Sequence, residues 1–327
     1  MKSTRVVATF LFLAVAIVAS LPRTAVAQAF PSKAIRLVVP FAPGGAADGS
    51  ARAITEALST RLGQPVVVEN RGGANGTSGA ELVAKSPPDG YTLLLGFDGT
   101  MVISPHLYAK LGFDPVRDFA PVTKLADSNN LLLAHPSLPA NDPRALIALA
   151  KAGKLALNYA TGGAGSTPHL AIELFADKAG IAMLHIPYKG SGAAIVDVMS
   201  GQVPLFGTGY AAAGQLMKSG KLKAIGSFSA TRSPSYPDVP TFVESGFPDL
   251  VTQSWFGILA PANTPRAIVN QLQKEIAAVL QLPEVQARFN TLGMVTVGNS
   301  PQEYAAQISA DLARWGPVVQ KAKVKMD

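Results

Sequence analysis

Two short segments of this 327-residue chain place glycines where backbone amides could bind an anion. Phe41-Ala42-Pro43-Gly44-Gly45-Ala46-Ala47-Asp48 follows the apolar run Ile35–Val39. Tyr159-Ala160-Thr161-Gly162-Gly163-Ala164-Gly165-Ser166 continues the run Ala156–Tyr159. Both read aromatic-Ala-x-Gly-Gly-Ala, then a capping residue, then a helical pattern. A helix N-terminus leaves about four N–H groups unpaired and carries roughly half a positive charge. Glycines remove the side chains that would hold a ligand away, so such a turn is a ready anion site. One turn in each half of the chain could grip a single carboxylate from both sides. Asp48 and Ser166 are the expected helix caps. Ser166 and Thr167 add hydroxyl donors, whereas Asp48 suits capping or ordering of water. A tight strand-to-helix turn would explain either segment alone; the repetition favours a shared task.

Other candidates carry less. Gly96-Phe97-Asp98-Gly99-Thr100 also follows a strand pattern and brings Asp98 and Thr100 to its carboxyl end. Lys189, in Pro187-Tyr188-Lys189-Gly190, could offer a cation or sit solvated on the surface. Trp255 either walls a cleft or packs between domains, and Trp315 reads as core. The histidines His106, His135, His169 and His185 show no metal-ligand spacing, and cysteine is absent. No metal, cofactor or catalytic residue is expected. No nucleophile elbow, zinc-protease, phosphate-loop or dinucleotide motif occurs. Ser166 and His169 could be imagined as a hydrolase dyad, but both would project from the first turn of one helix with no orienting acid.

The elements that must hold the turns alternate. Ile35–Val39, Val66–Glu69 and Tyr91–Leu95 read as strands, with helices at Ala51–Leu62 and Ser78–Lys85 between them. From Asn130 the pattern restarts. Strands are expected at Leu131–Ala134, Ala156–Tyr159, Met183–Ile186, Val203–Phe206 and Lys223–Phe228, and helices at Ala145–Ala152, Pro168–Lys178, Ala193–Ser200 and Ala211–Lys218. Near-continuous apolar strands between helices indicate an α/β fold with mostly parallel sheets flanked by helices. A proline-rich stretch, Ser229 to Asp249, leads to a strand at Trp255–Ala260. Thr264 is then expected as N-cap with Pro265 at the first helical position. The final helix runs from Pro301 to about Lys321, with Lys321, Lys323 and Lys325 complementing its C-terminus.

The first 27 residues carry Lys2 and Arg5, an apolar run Val6 to Leu21 and the small-x-small site Ala25-Val26-Ala27. That pattern is a cleaved export signal, and its apolar run is shorter than the roughly 20 residues a spanning helix needs. The whole chain has 28 basic and 21 acidic residues, a net +7; without the three basic residues of the leader the balance is 25 minus 21, or +4. That excess suits small anions and argues against a nucleic-acid partner. Charged residues at 15% and apolar ones at 48% argue against disorder.

The chain resembles the Bug-type extracytoplasmic solute receptors of tripartite tricarboxylate transporters. The matching blocks run in order from Pro40-Phe41-Ala42-Pro43-Gly44-Gly45-x-x-Asp48 through Val67-Val68-Glu69-Asn70-Arg71-x-Gly73-Ala74 and Pro88-Asp89-Gly90-Tyr91-Thr92-Leu93. They continue with Pro105-x-Leu107-Tyr108, Phe119-x-Pro121-Val122, Tyr159-Ala160-x-x-Gly163-x-Gly165-Ser166-x-x-His169, Pro187-Tyr188-Lys189-Gly190, Gly201-Gln202-Val203, Pro237-Asp238-Val239-Pro240-Thr241 and Trp255-Phe256-Gly257. The resemblance implies a two-domain periplasmic binding protein clamshell of the second type, with two crossovers. Residues 1–27 would be the signal, 28–129 with 254–327 domain I, and 130–253 domain II. It implies a small carboxylate held by both turns: Phe41, Gly44, Gly45, Ala46 and Asp48 on one side, Gly165, Ser166 and Thr167 on the other. It also implies a monomeric periplasmic receptor that delivers its ligand to membrane permease subunits. An exported ester hydrolase or a sensor subunit are the alternatives. Two positions depart from the family pattern. Ser104 stands where Asn is frequent. Leu205-Phe206-Gly207-Thr208-Gly209, expected as a cleft loop, lacks the acid that many members place there. That loss disfavours an amino-bearing ligand and favours an aromatic or aliphatic acid.

Overall fold

The computed structural model describes residues 30–153, 157–188, 190–233 and 235–322. The expected leader, Lys189, Lys323 and Lys325 lie outside these residues.

The chain builds one mixed sheet in the order β2-β1-β3-β9-β4-β7-β5-β6, with β8 and β10 also paired to β4. In its first half, β1 (Ile35–Val39) pairs in parallel with β2 (Val66–Asn70) and β3 (Thr92–Phe97). In its second half, β5 (Asn158–Thr161) pairs in parallel with β6 (Leu184–Pro187) and β7 (Leu205–Gly209). The flanking strands are therefore parallel, as expected of apolar strands joined by helices. Two long strands between them run antiparallel. β4 (Phe119–Ala134) is 16 residues long, far more than the four expected from Leu131–Ala134. Its first part, to Asn129, pairs with β9 (Gln253–Pro261) and β10 (Met294–Thr296); from Asn130 it pairs with β7 and β8 (Lys223–Ser227). The chain thus passes from the first half to the second within one strand. It returns alongside, where Phe228 N–H donates to Asn130 O and Thr252 N–H to Phe228 O. The Asn130 side chain stitches the two passages: its Nδ2 donates to Thr252 O at 3.2 Å and Ser254 Oγ donates to its Oδ1 at 3.3 Å.

Helices α1 (Ala46–Leu62), α2 (Thr77–Ala84) and α3 (Ser104–Leu107) serve the first half. The second half carries α4 (Pro143–Lys151), α5 (Thr167–Ala179), α6 (Ser191–Met199) and α7 (Tyr210–Lys218). After β9 come α8 (Arg266–Leu280), α9 (Pro283–Thr291) and α10 (Pro301–Lys321). Their ends follow local chemistry. Gly63 and Gly180 close α1 and α5 in the left-handed region. Asp142 caps α4, and Ser300 with Glu303 forms a capping box on α10. Thr264 is not the cap of α8: Pro265 holds that position with extended ψ, and Thr264 Oγ1 turns back to Pro261 O at 2.7 Å. The strand expected at Val203–Phe206 forms as β7, shifted toward Gly209, and takes in the run Leu205–Gly209 expected to line the cleft; Leu205 and Phe206 are fully buried between β4 and β5. Only its end, Gly209, opens a helix.

The core falls into clusters matching the halves. Val38, Leu94, Trp255, Leu259, Tyr304 and Trp315 pack in the first. Leu132, Tyr159, Phe175, Phe228 and Phe242 pack on one face of the second, and Leu131, Phe206 and Tyr210 on the other. Trp255 and Trp315 are both core. Among the described residues no helix is long and apolar enough to cross a membrane.

Candidate functional site

The first Gly-rich turn leads from β1 into α1. Gly44 takes φ +86, a conformation that L side chains rarely adopt, and it lets the chain double back before the helix. Gly45 is the N-cap and an added Cβ there would meet nothing within 4 Å. Gly44 and Gly45 are exposed and Ala46 is half-buried. The N–H groups of Gly45, Ala46 and Ala47 precede the first intrahelical bond, and of these residues Gly45 is exposed, Ala46 half-buried and Ala47 buried.

Asp48 is buried in the first turn of α1, not at its cap. Its Oδ2 accepts from Gly44 N–H at 3.0 Å and from Arg52 Nε at 2.9 Å, and its Oδ1 accepts from Asn70 Nδ2 at 3.0 Å. Asn70 Nδ2 also reaches Phe41 O at 3.1 Å. Burial works to raise the Asp48 pKa, but the donors Arg52, Gly44 and Asn70 outweigh it and hold the carboxyl below its ordinary range. Asp48 is thus the brace of the turn. Arg52 and Asn70 were not singled out in the sequence, although Arg52 stands four residues after Asp48 on the same helix face.

The second turn leads from β5 into α5 and is braced from within. Gly165, at φ +72, gives its N–H to His169 Nδ1 at 3.0 Å. Ser166 is the N-cap by position, yet its Oγ turns back to Gly163 O at 2.8 Å. Thr161 Oγ1 also donates to Gly163 O, at 2.9 Å, and bonds His185 Nε2 at 2.7 Å. His169 and His185 stack with ring centroids 3.8 Å apart. Burial lowers both pKa values, His169 to about 3 with help from His185, and His185 to about 4. Both rings are therefore neutral near pH 7, and His169 Nδ1 is free to accept. The Ser–His dyad does not form, because Ser166 and His169 each bond the turn's backbone instead.

The two turns meet at the carboxyl end of β3. The Phe41 ring packs edge-on against Phe97 at 5.6 Å, and Phe97 stacks on Phe256 at 5.3 Å. The next residue, Asp98, accepts a hydrogen bond from Thr167 Oγ1 in the second half. Asp98 and Thr167 are buried. Thr100 is buried too, and its hydroxyl ties the loop after β2 down by donating to Asn75 O at 2.8 Å. Ser104 Oγ donates to Gly99 O at 3.0 Å and supports the same turn. The structure thus brings Phe41, Asp98 and Thr167 to one strand end, while Gly44, Gly45 and Ala46 remain open beside it. Among the described residues no group of His, Asp and Glu is placed to hold a metal ion.

Comparison with known proteins agrees with this arrangement. Residues 50–324 match the tripartite tricarboxylate transporter family receptor, TctC. BugT of Bordetella pertussis is 36% identical over 301 residues, 92% of each chain. A solved structure described as a periplasmic transporter is 39% identical, with a TM-score of 0.84 over 91% of this chain and 100% of its own. R. palustris Rpa4515 with adipate is 36% identical, with a TM-score of 0.84 over 90% of this chain and 99% of its own. MatC from Rhodopseudomonas palustris with bound malate is 34% identical, with a TM-score of 0.81 over 89% and 100%. Two amide-bearing turns converging on one strand end, and a family match over most of the length, lead to one assignment: the chain belongs to the Bug-type receptors of the tripartite tricarboxylate transporter family.

Proposed function

We propose that the chain is a periplasmic receptor for a small organic carboxylate, with an aromatic or aliphatic body, which it delivers to the permease subunits of a tripartite transporter. The observation that carries this reading is the convergence on β3, where Phe41 packs on Phe97 and Thr167 bonds Asp98. It sets the N-termini of α1 and α5, one from each half, against the same strand end. A carboxylate there would meet two helix dipoles and the N–H groups of Gly45 and Ala46. The relatives holding adipate and malate support the ligand class.

On this reading residues 1–27 are a cleaved signal, 28–129 with 254–327 are one lobe, and 130–253 the other. The passages at Asn130 and at Phe228 to Gln253 serve as the hinge, and the lobes close on the ligand by rotation about it. The receptor acts as a monomer, without cofactor and without catalysis. The ligand-contacting set is Phe41, Gly44, Gly45, Ala46 and Asp48 with Gly165, Ser166 and Thr167, and Asp98 and Thr100 behind them.

The test is a thermal-shift panel of mono-, di- and tricarboxylates and aromatic acids on protein stripped of bound ligand. A ligand at a hundred times its Kd stabilises the folded state by about 2.7 kcal/mol, which raises Tm by several degrees. A flat response to every acid, with the protein folded, contradicts the reading. An ester-hydrolysis screen in which Ser166→Ala abolishes turnover would instead favour an enzyme.

A further inference from the structure

We propose that the Asp98–Thr167 contact is a latch that couples closure of the two halves on their ligand to uptake of one proton. The inference rests on the receptor reading above and concerns the regulation of the same site.

The contact joins the halves. Asp98 ends the β3 segment of the first, and Thr167 opens α5 of the second. Leu170, three residues along α5, lies in the core cluster of the first half, so Thr167 and Leu170 dock one helix face there. The environment of Asp98 is poor in compensation. Its side chain is 1% exposed. Oδ2 takes the Thr167 hydroxyl; the N–H groups of Gly99 and Trp255 face the carboxylate, but among the described residues none closes a hydrogen bond to the buried Oδ1. The Tyr304 hydroxyl from α10 is likewise buried without a partner, and its ring stands edge-on to Trp255 of β9 at 5.3 Å. The nearby charged group is itself an acid: Asp311 of α10, which accepts from Trp255 Nε1 at 2.9 Å. The Lys124 ammonium of β4 is bonded to Asp127. Among the described residues no cation is ion-paired with Asp98.

An ionised Asp98 would therefore be a buried charge facing another carboxylate. Burial is the main cause that pushes its pKa up to about 8; Asp311 adds to it, while the Thr167 hydroxyl and the N–H groups of Gly99 and Trp255 oppose it. Once the halves part and Asp98 meets water, the carboxyl returns toward the ordinary 3.8 and ionises. Closing near pH 7 then takes up a proton. Between the two values linkage makes ligand affinity fall by up to about tenfold per pH unit as pH rises, and the dependence flattens above pH 8.

Two measurements on the mature chain decide this. The first is thermal unfolding in saturating adipate, which holds the halves closed, for wild type and Asp98→Asn, from pH 5 to 9. The group is neutral in the folded protein and ionised in the unfolded chain, so its contribution is present below about pH 4 and lost as pH rises through 8. Wild type should lose Tm across this range relative to Asp98→Asn, which carries no titrating group there. Parallel curves with adipate bound would overturn the latch. The second is calorimetry with adipate at pH 7 in buffers of different ionisation enthalpy. Wild type should take up close to one proton per adipate and Asp98→Asn none. Binding with the same proton count in both would overturn the latch and leave the receptor reading intact. Absence of binding by adipate and by the whole acid panel would sink the receptor reading and, with it, the ligand coupling.

Discussion

The two Gly-rich turns share a sequence pattern and differ in what braces them. In the first, an ionised Asp48 gathers Gly44, Arg52 and Asn70, and leaves the N–H groups of Gly45 and Ala46 open. In the second, neutral groups do the bracing: His169 takes Gly165 N–H, and the Thr161 and Ser166 hydroxyls both donate to Gly163 O. The second turn spends its donors on its own shape and docks Thr167 on the opposite half. The lesson is a division of labour. The first turn supplies free amides to the anion; the second supplies a rigid wall and the means of closure.

That division can be broken most severely at His169. His169→Ala empties a buried, stacked position and leaves Gly165 N–H unpartnered, so stability should fall by about 2–4 kcal/mol in urea unfolding at pH 7. The remaining acid sensitivity should shrink as well. The wild-type pKa of His169 is depressed, so its contribution is complete above about 6.5 and lost as pH falls toward 3. A variant as stable as wild type would show that the ring does not hold the turn.

The first turn is sharpened by Gly45→Val. The space around Gly45 is empty and its φ of −86 suits any residue, so Tm should stay unchanged. The valine should obstruct the approach to the amides and weaken carboxylate binding by about 10- to 100-fold, the loss of one or two charge-assisted hydrogen bonds. Titration calorimetry reads this directly, and unchanged affinity would remove the first turn from the site. Asp48→Asn should cost less, about 1–2 kcal/mol at pH 7, since Arg52 is half exposed and its ion pair is weakened by water. The folded pKa of Asp48 lies below its unfolded value, so its contribution is present above about pH 4 and disappears as pH falls through the folded value. Chemical unfolding at pH 7 and pH 3 should therefore show a gap that closes in acid. The smallest effect belongs to Gly44→Ala, where φ +86 costs an alanine about 1 kcal/mol.

Much of this was legible beforehand because it is local. Glycine spacing, β-branched runs and helix periodicity placed β1, β3, both turns and the final helix to within a few residues. What escaped was set by distant partners. The length of β4 depends on β9, which arrives more than a hundred residues later, so only its most apolar four residues stood out. The strand expected at Val203–Phe206 runs on to Gly209 because β4 pairs with it as far as Asn130. The roles of His169 and Asp98 were hidden for the same reason. A histidine in the first turn of a helix gives no sign that it accepts a glycine N–H. An aspartate after a strand gives no sign that it will be buried against Thr167.

The most direct test is a crystal structure of the stripped receptor with the carboxylate that gives the largest thermal shift. One carboxylate group should lie within hydrogen-bond reach, directly or through a single ordered water, of the N–H groups of Gly45 or Ala46, with the Gly163–Thr167 turn walling its other side. A ligand whose acid group rests on a lysine or arginine, or on one turn alone with the other facing solvent, would contradict the two-sided grip.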